Sequence, residues 1–206
     1  MTPGKRGFDL VTAGTGLLLL APLLALLALL VKLADGGPVF FRQERVGFQG
    51  RRFRIWKFRT MAPDAEAKGL PLTVGRDARV TRVGRWLRQV KLDELPQLVN
   101  VLAGDMTLVG PRPEVPRYVA AYSARERRVL ELVPGVTDEA SIRYADESAV
   151  LATAPDAERL YVSEIVPAKI RLNLAYAAHA TMWTDVAVIL ATLRRLVWPP
   201  TRSTTR

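Results

Sequence analysis

The chain has 206 residues and a formal net charge of +10, from 30 Lys and Arg against 20 Asp and Glu. Its length allows one domain of ordinary size with an appendage. The absence of cysteine excludes disulfides, thiolate zinc sites and cysteine nucleophiles. The single histidine, His179, lies in a predicted helix where a structural role is favoured, so a general base or metal ligand must come from carboxylates. The positive charge favours nucleic acid, anionic lipid headgroups or phosphorylated substrates as partners.

An uncharged segment from Leu10 to Val31 is half leucine. As a straight helix it would be roughly 33 Å long, against a bilayer hydrocarbon core of about 30 Å. A cleaved signal peptide is the less favoured alternative, because the segment is long and residues 32–35 form a poor cleavage site. The sequence therefore predicts a membrane-embedded N-terminal helix.

Two features of this helix favour a re-entrant course, in which it enters and leaves the membrane by one face. Pro22 lies at its centre, where the missing backbone donor predicts a kink. Lys5 and Arg6 precede the segment and a strongly basic stretch follows it. The positive-inside tendency draws both ends to the cytosol, which a straight crossing does not satisfy. We expect Thr2 and Ser203 to face the cytosol together.

The residues after the membrane segment predict a hairpin followed by helices. Val39 to Val46 and Phe53 to Phe58 mix aromatic, β-branched and basic residues on either side of a glycine-rich break, which predicts a β-hairpin with a basic face. Residues 60–80 predict a helical turn and a loop. Apolar residues at helical spacing predict a helix from Thr81 to Val90.

The C-terminal third predicts further helices. Thr184 to Val197 has apolar residues at three- and four-residue steps, with Trp183 and Trp198 on either side. Two interpretations stay open, a core helix and an amphipathic helix at the membrane interface, where tryptophan and arginine are favoured. Residues 199–206 predict a disordered tail.

The densest motif runs from Leu92 to Glu114. Pro96 suits the first turn of a helix and Gly104 its end, which would place Asp93 and Glu94 at the positive end of that helix. A carboxylate there keeps its charge more readily and can serve as a nucleophile or a metal ligand. For an isolated Asp-Glu-Leu-Pro motif, however, a capping role for the aspartate is favoured.

The same motif ends in Pro111-Arg112-Pro113, a rigid turn that presents one guanidinium. Two prolines cost little entropy to order and fix the direction in which the arginine leaves the backbone. An arginine held in this way is suited to clamping a phosphate. The alternative is an ordinary loop with a solvated arginine.

Several blocks follow one another in an order found in a known family. They are Lys5 to Asp9, Ala21-Pro22, Gly37 to Gly47, Lys57 to Met61 and Leu92 to Glu114. The chain thereby resembles the small monotopic phosphoglycosyl transferases, also called bacterial sugar transferases. Each block alone is weak, but together they are highly specific and make mere capping by Asp93 unfavourable. Residues 134–144 depart from the usual pattern, and Arg143 is the candidate there for contact with nucleotide or phosphate.

The resemblance implies an α+β fold. Residues 1–35 would form a re-entrant membrane helix, residues 36–198 a small, mainly helical cytosolic catalytic domain with a short β-hairpin and amphipathic interfacial helices, and residues 199–206 the tail. The active site would lie on the cytosolic face of the bacterial inner membrane. The resemblance excludes nucleic acid as a partner, makes membrane lipid one, and allows a homodimer.

The implied reaction transfers a sugar 1-phosphate from a nucleotide-sugar, with UDP as the expected nucleotide, to polyprenyl phosphate. Asp93 would be the nucleophile that forms an aspartyl-phosphosugar intermediate, and Glu94 its acidic partner. Both are implied ligands of Mg²⁺, a cation that suits hard oxygen ligands and a diphosphate. The cations expected to bind the substrate are Lys57, Arg59, Arg88, Arg112 and Arg143.

A membrane-anchored basic module without catalysis is the alternative function. Such a module would bind nucleic acid or anionic lipid, and it would account for the charge and the leucine-rich segment. It would not account for an acidic pair at a helix start within an otherwise basic domain. Aromatic and basic residues alternate from Arg52 to Arg59, but no known nucleic-acid signature is present.

Overall fold

A computed structural model describes residues 1–63, 65, 72–75 and 77–197. The predicted tail, Trp198, Ser203 and part of the predicted loop at 60–80 lie outside these residues. The α-helices are α1 Pro3–Asp35, α2 Arg82–Gln89, α3 Leu98–Ala103, α4 Pro116–Ala120, α5 Glu139–Arg143, α6 Glu147–Ala152, α7 Ala157–Leu160, α8 Val166–Ala177 and α9 Met182–Val197. The strands are β1 Phe40–Val46, β2 Arg52–Phe58, β3 Thr107–Val109 and β4 Gly135–Thr137. The domain is α+β, as predicted.

Helix α1 contains the whole predicted membrane segment and extends beyond it at both ends. Thr2 caps its start, where the side-chain oxygen accepts a hydrogen bond from the Lys5 amide. Gly36 ends it in the left-handed conformation, with φ 72°. The helix is continuous through Pro22 and is apolar and long enough to cross a membrane by length and composition.

The N-terminal part of α1 is fixed to the rest of the protein by polar contacts. Asp9 is fully buried and accepts hydrogen bonds from the Thr107 hydroxyl at 2.6 Å and the Leu108 amide at 3.3 Å. Lys5 donates to the Asp185 carboxylate of α9 at 2.5 Å. A buried carboxylate is tolerated only when it is bonded in this way, so this part of α1 is docked specifically.

The C-terminal part of α1 packs against the same domain through apolar side chains. Leu27 and Val31, one turn apart, are buried in a cluster with Phe58 of β2 and Leu87 of α2. The opposite side of α1 exposes leucines, of which Leu18 is 79% exposed. Helix α1 therefore has one face on the domain along most of its length and one apolar face that no described residue covers.

The predicted hairpin is confirmed. Strands β1 and β2 are antiparallel, with Phe40 opposite Phe58 and Val46 opposite Arg52. The glycine-rich break forms a short 3₁₀ turn, Phe48–Gly50. On the exposed side, the Arg42 guanidinium lies 4.2 Å from the centre of the Trp56 ring, which confirms a basic face with aromatic support.

The chain after β2 lies directly against α2. The predicted helix is confirmed as α2, with Thr81 as its cap. A Cβ atom at Gly84 would lie 2.0 Å from the Thr60 carbonyl oxygen. Only glycine fits at this crossing, so Gly84 sets the distance between α2 and the end of the hairpin.

The Asp-Glu motif differs from its predicted form. Asp93 and Glu94 lie within a 3₁₀ turn, Leu92–Gln97, and α3 begins only at Leu98. The acidic pair therefore precedes α3, and Pro96 lies in the turn that leads directly into it. Lys91, immediately before the turn, is in the left-handed region with φ 55°. Gly104 ends α3 as predicted.

A second sheet was not predicted. Strands β3 and β4 are parallel and pair Thr107 with Gly135 and Val109 with Thr137. A Cβ atom at Gly135 would lie 2.1 Å from the Gly110 amide nitrogen, so both glycines are needed for this close approach. The sheet connects the Pro-Arg-Pro turn to residues 134–138.

Helix α9 confirms the predicted C-terminal helix, although it begins two residues earlier. One side faces the domain, where Asp185 and Val188 are buried. The other side exposes large apolar residues, with Trp183 83% and Leu190 60% exposed. This two-sided character fits an amphipathic helix better than a helix enclosed in the core.

Candidate active site

Glu94 is the centre of a compact charged cluster. Lys57, at the end of β2, donates to one of its carboxylate oxygens at 2.8 Å. Arg112, from the Pro-Arg-Pro turn, donates to both oxygens, once at 2.9 Å and once in a shorter bond. The predicted cations Lys57 and Arg112 therefore meet the predicted carboxylate, although they come from segments far apart in the sequence.

The pKa values of the groups in this cluster are shifted in different directions. Burial opposes ionisation of Glu94, but the charges of Arg112 and Lys57 outweigh it and hold the pKa of Glu94 well below its usual range. The Glu94 charge in turn raises the pKa of Arg112. Burial lowers the pKa of Lys57 to about 8, although Glu94 acts in the opposite direction. Glu94 is thus an anion at neutral pH, and Lys57 is a cation that loses its proton as pH rises above about 8.

Asp93 has the opposite environment. Its side chain is buried, and its Oδ1 atom has no hydrogen-bond partner among the described residues. Burial, and then repulsion by Glu94, raise the pKa of Asp93, while the charges of Lys57 and Lys91 lower it. Two adjacent carboxylates whose pKa values are pushed apart are typical of a site in which each has its own role.

Arg88 of α2 lies near this cluster. Its Nε donates to the Thr60 hydroxyl at 2.8 Å and one terminal nitrogen donates to the Thr73 hydroxyl at 3.0 Å. Burial lowers the pKa of Arg88, while the charge of Asp93 acts in the opposite direction. The structure therefore places Arg88 within electrostatic reach of Asp93, with neutral partners that hold it in position.

Arg59 lies elsewhere. Its guanidinium pairs with Asp35 at the end of α1 and also donates to the carbonyl oxygens of Pro38 and Met61. The side chain is only 6% exposed. Its donors are directed to the junction between α1 and the hairpin, and no bond among the described residues joins Arg59 to Asp93 or Glu94. Its predicted contact with substrate stays a prediction.

Arg143 is also apart from the cluster. It forms an exposed ion pair with Glu139, one helical turn away, at 3.4 Å. Among the contacts of the residues described, none joins Arg143 to Asp93, Glu94 or Arg112. Its predicted contact with nucleotide or phosphate stays a prediction.

Residues 134–144, which depart from the usual family pattern, instead support the Pro-Arg-Pro turn. The Gly110 amide donates to the Thr137 carbonyl and the Gly135 amide donates to the Pro111 carbonyl, both at 3.0 Å. Asp138 is buried, and its charge adds to those that raise the pKa of Arg112. This block therefore acts on the cluster through Arg112.

A second polar network supports the same turn from its other side. Arg45 of β1 donates to the Pro113 carbonyl at 3.1 Å and lies 3.9 Å from the Glu114 carboxylate. The Tyr161 hydroxyl donates to Glu114 at 2.5 Å. Sequence reasoning missed these supports, because nothing in the local patterns brings Tyr161 next to the turn.

Lys91 and Gln97 are further residues that sequence reasoning missed. Lys91 is exposed at the entrance to the 3₁₀ turn, and its charge lowers the pKa of both Asp93 and Glu94. Gln97 ends the turn and is 1% exposed. Their closeness in the sequence to the Asp-Glu pair was the available signal.

The oxygens available at this site decide whether Mg²⁺ fits. Glu94 is already bonded to Arg112 and Lys57 through both oxygens, whereas Asp93 Oδ1 is buried and free of a partner. No group of three or more His, Cys, Asp and Glu side chains suited to a metal occurs in the described ranges. Mg²⁺ commonly binds through one or two carboxylates together with substrate phosphates, so the free oxygen of Asp93 fits as a ligand, and the Mg²⁺ contacts expected of Asp93 and Glu94 stay predictions.

Comparison with known proteins identifies the family of this chain. Residues 2–199 match the family model described as bacterial sugar transferase. The chain belongs to the bacterial sugar transferase family. The match covers α1, the hairpin and the whole charged cluster, so the family resemblance seen in the sequence is confirmed.

Curated relatives carry names that describe related reactions. An undecaprenyl-phosphate glucose phosphotransferase of Komagataeibacter xylinus is 40% identical over 201 residues, which are 94% of this chain and 36% of the relative. An N-acetylgalactosaminephosphotransferase of Aeromonas hydrophila that is named for UDP-N-acetylgalactosamine and undecaprenyl phosphate is 37% identical, over 94% of this chain and 43% of the relative. A UDP-glucose:undecaprenyl-phosphate glucose-1-phosphate transferase of Caulobacter vibrioides is 38% identical, with 94% and 69% covered. The chain thus spans about two fifths of the length of the first two relatives and more of the third.

Proposed function

We propose that this protein is a phosphoglycosyl transferase that moves a sugar 1-phosphate from a UDP-sugar to undecaprenyl phosphate. The observation that carries the proposal is a buried Asp93 carboxylate with one free oxygen, next to a cluster of cations around Glu94. Cations suit a diphosphate and a lipid phosphate, and the free carboxylate suits attack on phosphorus. Relatives named for UDP-sugars and undecaprenyl phosphate support both substrates. The product would be the first lipid-linked intermediate of glycan or exopolysaccharide assembly.

In the first half-reaction, a carboxylate oxygen of Asp93 attacks the phosphorus that bears the sugar. The bond from this phosphorus to the nucleotide's bridging oxygen breaks, and the nucleoside monophosphate leaves with the electron pair. The phosphosugar remains on Asp93 as an acyl phosphate. In the second half-reaction, an oxygen of undecaprenyl phosphate attacks the same phosphorus, and the Asp93 carboxylate leaves. Dividing one displacement into two is the usual advantage of covalent catalysis.

The neighbouring residues have separate roles in this scheme. Glu94 holds Lys57 and Arg112 in place, so that their remaining donors face incoming phosphate oxygens. Arg88, held by two threonine hydroxyls, supplies a further positive charge near Asp93. The Asp93 carboxylate would also hold Mg²⁺, which would supply positive charge to the diphosphate. In these assignments Lys57, Arg88 and Arg112 keep the substrate-binding roles expected of them. Glu94 has a positioning role.

The re-entrant course of α1 is part of the proposal, and it is supported by the contacts at both ends of the helix. Lys5 and Asp9 bind the domain near one end, while Leu27 and Val31 pack on it near the other. From Lys5 to Val31 a straight helix extends roughly 39 Å, more than the hydrocarbon core of a bilayer. A crossing helix would require one polar domain to contact it on both membrane faces. A helix inserted into the cytosolic leaflet alone avoids this requirement and keeps the site at the level of the lipid phosphate.

Helix α9 supports the same placement. Its exposed side carries Trp183, Leu190 and Leu193, and Asp185 on its other side binds Lys5 at the start of α1. Tryptophan is favoured at the headgroup level. An interfacial α9 beside an embedded α1 would attach the domain to the cytosolic face of the inner membrane through two adjacent apolar surfaces.

Release of nucleoside monophosphate tests the function. Purified protein would be mixed with UDP-glucose, UDP-N-acetylgalactosamine and other nucleotide-sugars, each with and without undecaprenyl phosphate. We expect UMP release with at least one sugar, to a single turnover without the lipid and to many turnovers with it. A protein that binds anionic vesicles but releases no UMP with any donor would support the basic-module alternative instead.

Cysteine labelling tests the membrane course, and the chain offers a clean background because it contains no cysteine. Single cysteines at Thr2 and at the exposed Ser163 would be treated with a membrane-impermeant maleimide. We expect both to be protected in intact cells and to react after lysis. Labelling of the Thr2 site alone in intact cells would show a crossing helix, while leaving the transferase proposal intact.

A further inference from the structure

Gln97 is a buried amide with an unused donor. The side chain is 1% exposed and its Nε2 atom has no hydrogen-bond partner among the described residues. Asp93 Oδ1, in the same 3₁₀ turn, is also buried and unpaired. An unsatisfied buried polar atom is destabilising, so two in one turn are unusual. They indicate a turn that is completed by a group from outside the chain.

A second buried amide on the next turn shows that the segment is able to satisfy such groups. Asn100 of α3 is also 1% exposed. Its side-chain oxygen accepts from the Trp56 amide at 2.9 Å, and its nitrogen donates to the Arg54 carbonyl at 3.0 Å. Asn100 therefore joins α3 to strand β2, whereas the Gln97 nitrogen joins nothing. The contrast separates a structural amide from an amide whose donor is left over.

Gln97 lies in the same 3₁₀ turn as both carboxylates. It follows Glu94 by three residues and Asp93 by four. Side chains three apart are eclipsed in a 3₁₀ turn, and side chains three or four apart are neighbours on a helical surface. Lys57 and Arg112 each use donors on Glu94 and keep further charged donors. Gln97 adds a neutral donor, without a partner among the described residues, in the same turn as the reacting group.

We propose that the Gln97 side chain donates a hydrogen bond to an oxygen of the phosphoryl group while that group is attached to Asp93. The inference rests on the proposed function and adds a residue to it. Transfer brings phosphoryl oxygens into a buried turn, where each needs a donor. Gln97 supplies one without adding charge and without breaking the ion pairs of Glu94. The donor costs stability in the resting protein and is used only during transfer, as expected of a preorganised catalytic group.

Gln97→Met and Asn100→Leu form a matched test, because each replaces an amide with an apolar side chain of similar size. We expect Gln97→Met to keep or raise the thermal midpoint, since it removes an unsatisfied donor. Its kcat should fall about 10²-fold, the usual loss for one such donor, while KM for the UDP-sugar changes less than about threefold. Asn100→Leu should lower the thermal midpoint, and its kcat per folded molecule should change much less.

Single-turnover UMP release without lipid then locates the defect. We expect the Gln97→Met burst to slow in parallel with kcat, because the donor acts while phosphorus is bound to Asp93. Gln97→Glu, which replaces the donor with an acceptor beside Glu94, should be slower still. Normal rates in Gln97→Met, or a rate that falls only in proportion to the folded fraction, would overturn the inference. Absence of UMP release by the unmodified protein would instead overturn the proposed function, and this inference with it.

Discussion

Two arginine–carboxylate pairs in this protein have the same chemistry and different surroundings. Arg112 pairs with Glu94 beside Asp93, and Arg59 pairs with Asp35 between α1 and the hairpin. Both arginines were predicted from the sequence to bind phosphate. In the Arg59 pair the guanidinium is enclosed, with two carbonyl oxygens as additional acceptors. Glu94 of the Arg112 pair lies instead in a turn where an Asp93 oxygen and the Gln97 amide nitrogen have no partner among the described residues.

The difference shows what distinguishes a site from a structural contact. A structural ion pair uses its donors and acceptors within the chain, because unsatisfied buried groups are costly. A site keeps some of them unused until a substrate arrives. The presence of an arginine and a carboxylate therefore says little by itself, and the polar atoms that remain without a partner say more.

The largest effect is expected from a change in the Asp93 carboxylate itself. Asp93→Asn should lower kcat by more than about 10⁴-fold, because an amide is not an anionic nucleophile. The protein should remain folded in detergent, as judged by its thermal midpoint and its elution in size-exclusion chromatography. Near-normal turnover would remove the covalent mechanism. Glu94→Gln should also be severely impaired, and unlike Asp93→Asn it should lose stability, because it breaks a buried pair.

Metal removal tests the proposed binding of Mg²⁺ by the Asp93 carboxylate. After extensive dialysis and addition of excess EDTA, UMP release should fall by more than about 10²-fold, since the diphosphate would lose its neutralising cation. Added Mg²⁺ should restore the rate. Full activity in EDTA would show that the surrounding cations suffice alone and that Asp93 acts without a metal.

Exchange of each arginine for lysine compares the two pairs directly. Arg112→Lys keeps the charge but loses the bidentate geometry, and we expect kcat to fall about 10²-fold with little change in the thermal midpoint. Arg59→Lys should lower the thermal midpoint, because a buried acceptor that loses its donor costs about 1–3 kcal/mol of stability. Its kcat per folded molecule should stay within about twofold of the unmodified protein. A large loss of kcat in folded Arg59→Lys would place that residue in the site after all.

The smallest expected effect is a change in pH dependence. The pKa of Lys57 is lowered to about 8, and its useful form is the protonated cation, so activity should decline as pH rises above about 8. The raised pKa of Asp93 acts at the other end, because the carboxylate must lose its proton to attack. Lys57→Arg should extend activity to about pH 10, since arginine stays charged. An unchanged alkaline decline in that variant would assign it to another group.

The sequence was most informative where one local pattern decided the structure. Leucine content predicted α1, and apolar spacing predicted α2 and α9. Two segments of mixed aromatic, β-branched and basic residues around a glycine-rich break predicted the hairpin. The charged cluster was also predicted in large part, because Lys57, Arg88 and Arg112 lie with or near the Asp-Glu pair.

The sequence was least informative where distant segments decide the outcome. The position of the Arg59 side chain depends on Asp35, which lies 24 residues earlier. The two side chains meet only because α1 ends beside the hairpin. Strands β3 and β4 have three residues each, too few for a periodic pattern. The Asp-Glu turn is a 3₁₀ turn preceded by Lys91 in the left-handed region, a conformation that a lysine side chain gives no reason to expect.

The buried Asp9 on α1 has a consequence for how the protein is assembled. Its partners, Thr107 and Leu108, belong to β3, and Ala13 one turn later is part of the same apolar core as Met106 and Val188. The helix is therefore no interchangeable anchor, and a foreign membrane segment of equal length would leave this core open. Under the proposed function, insertion of α1 into lipid and completion of the domain would occur as one event, at the surface where the proposed lipid substrate resides.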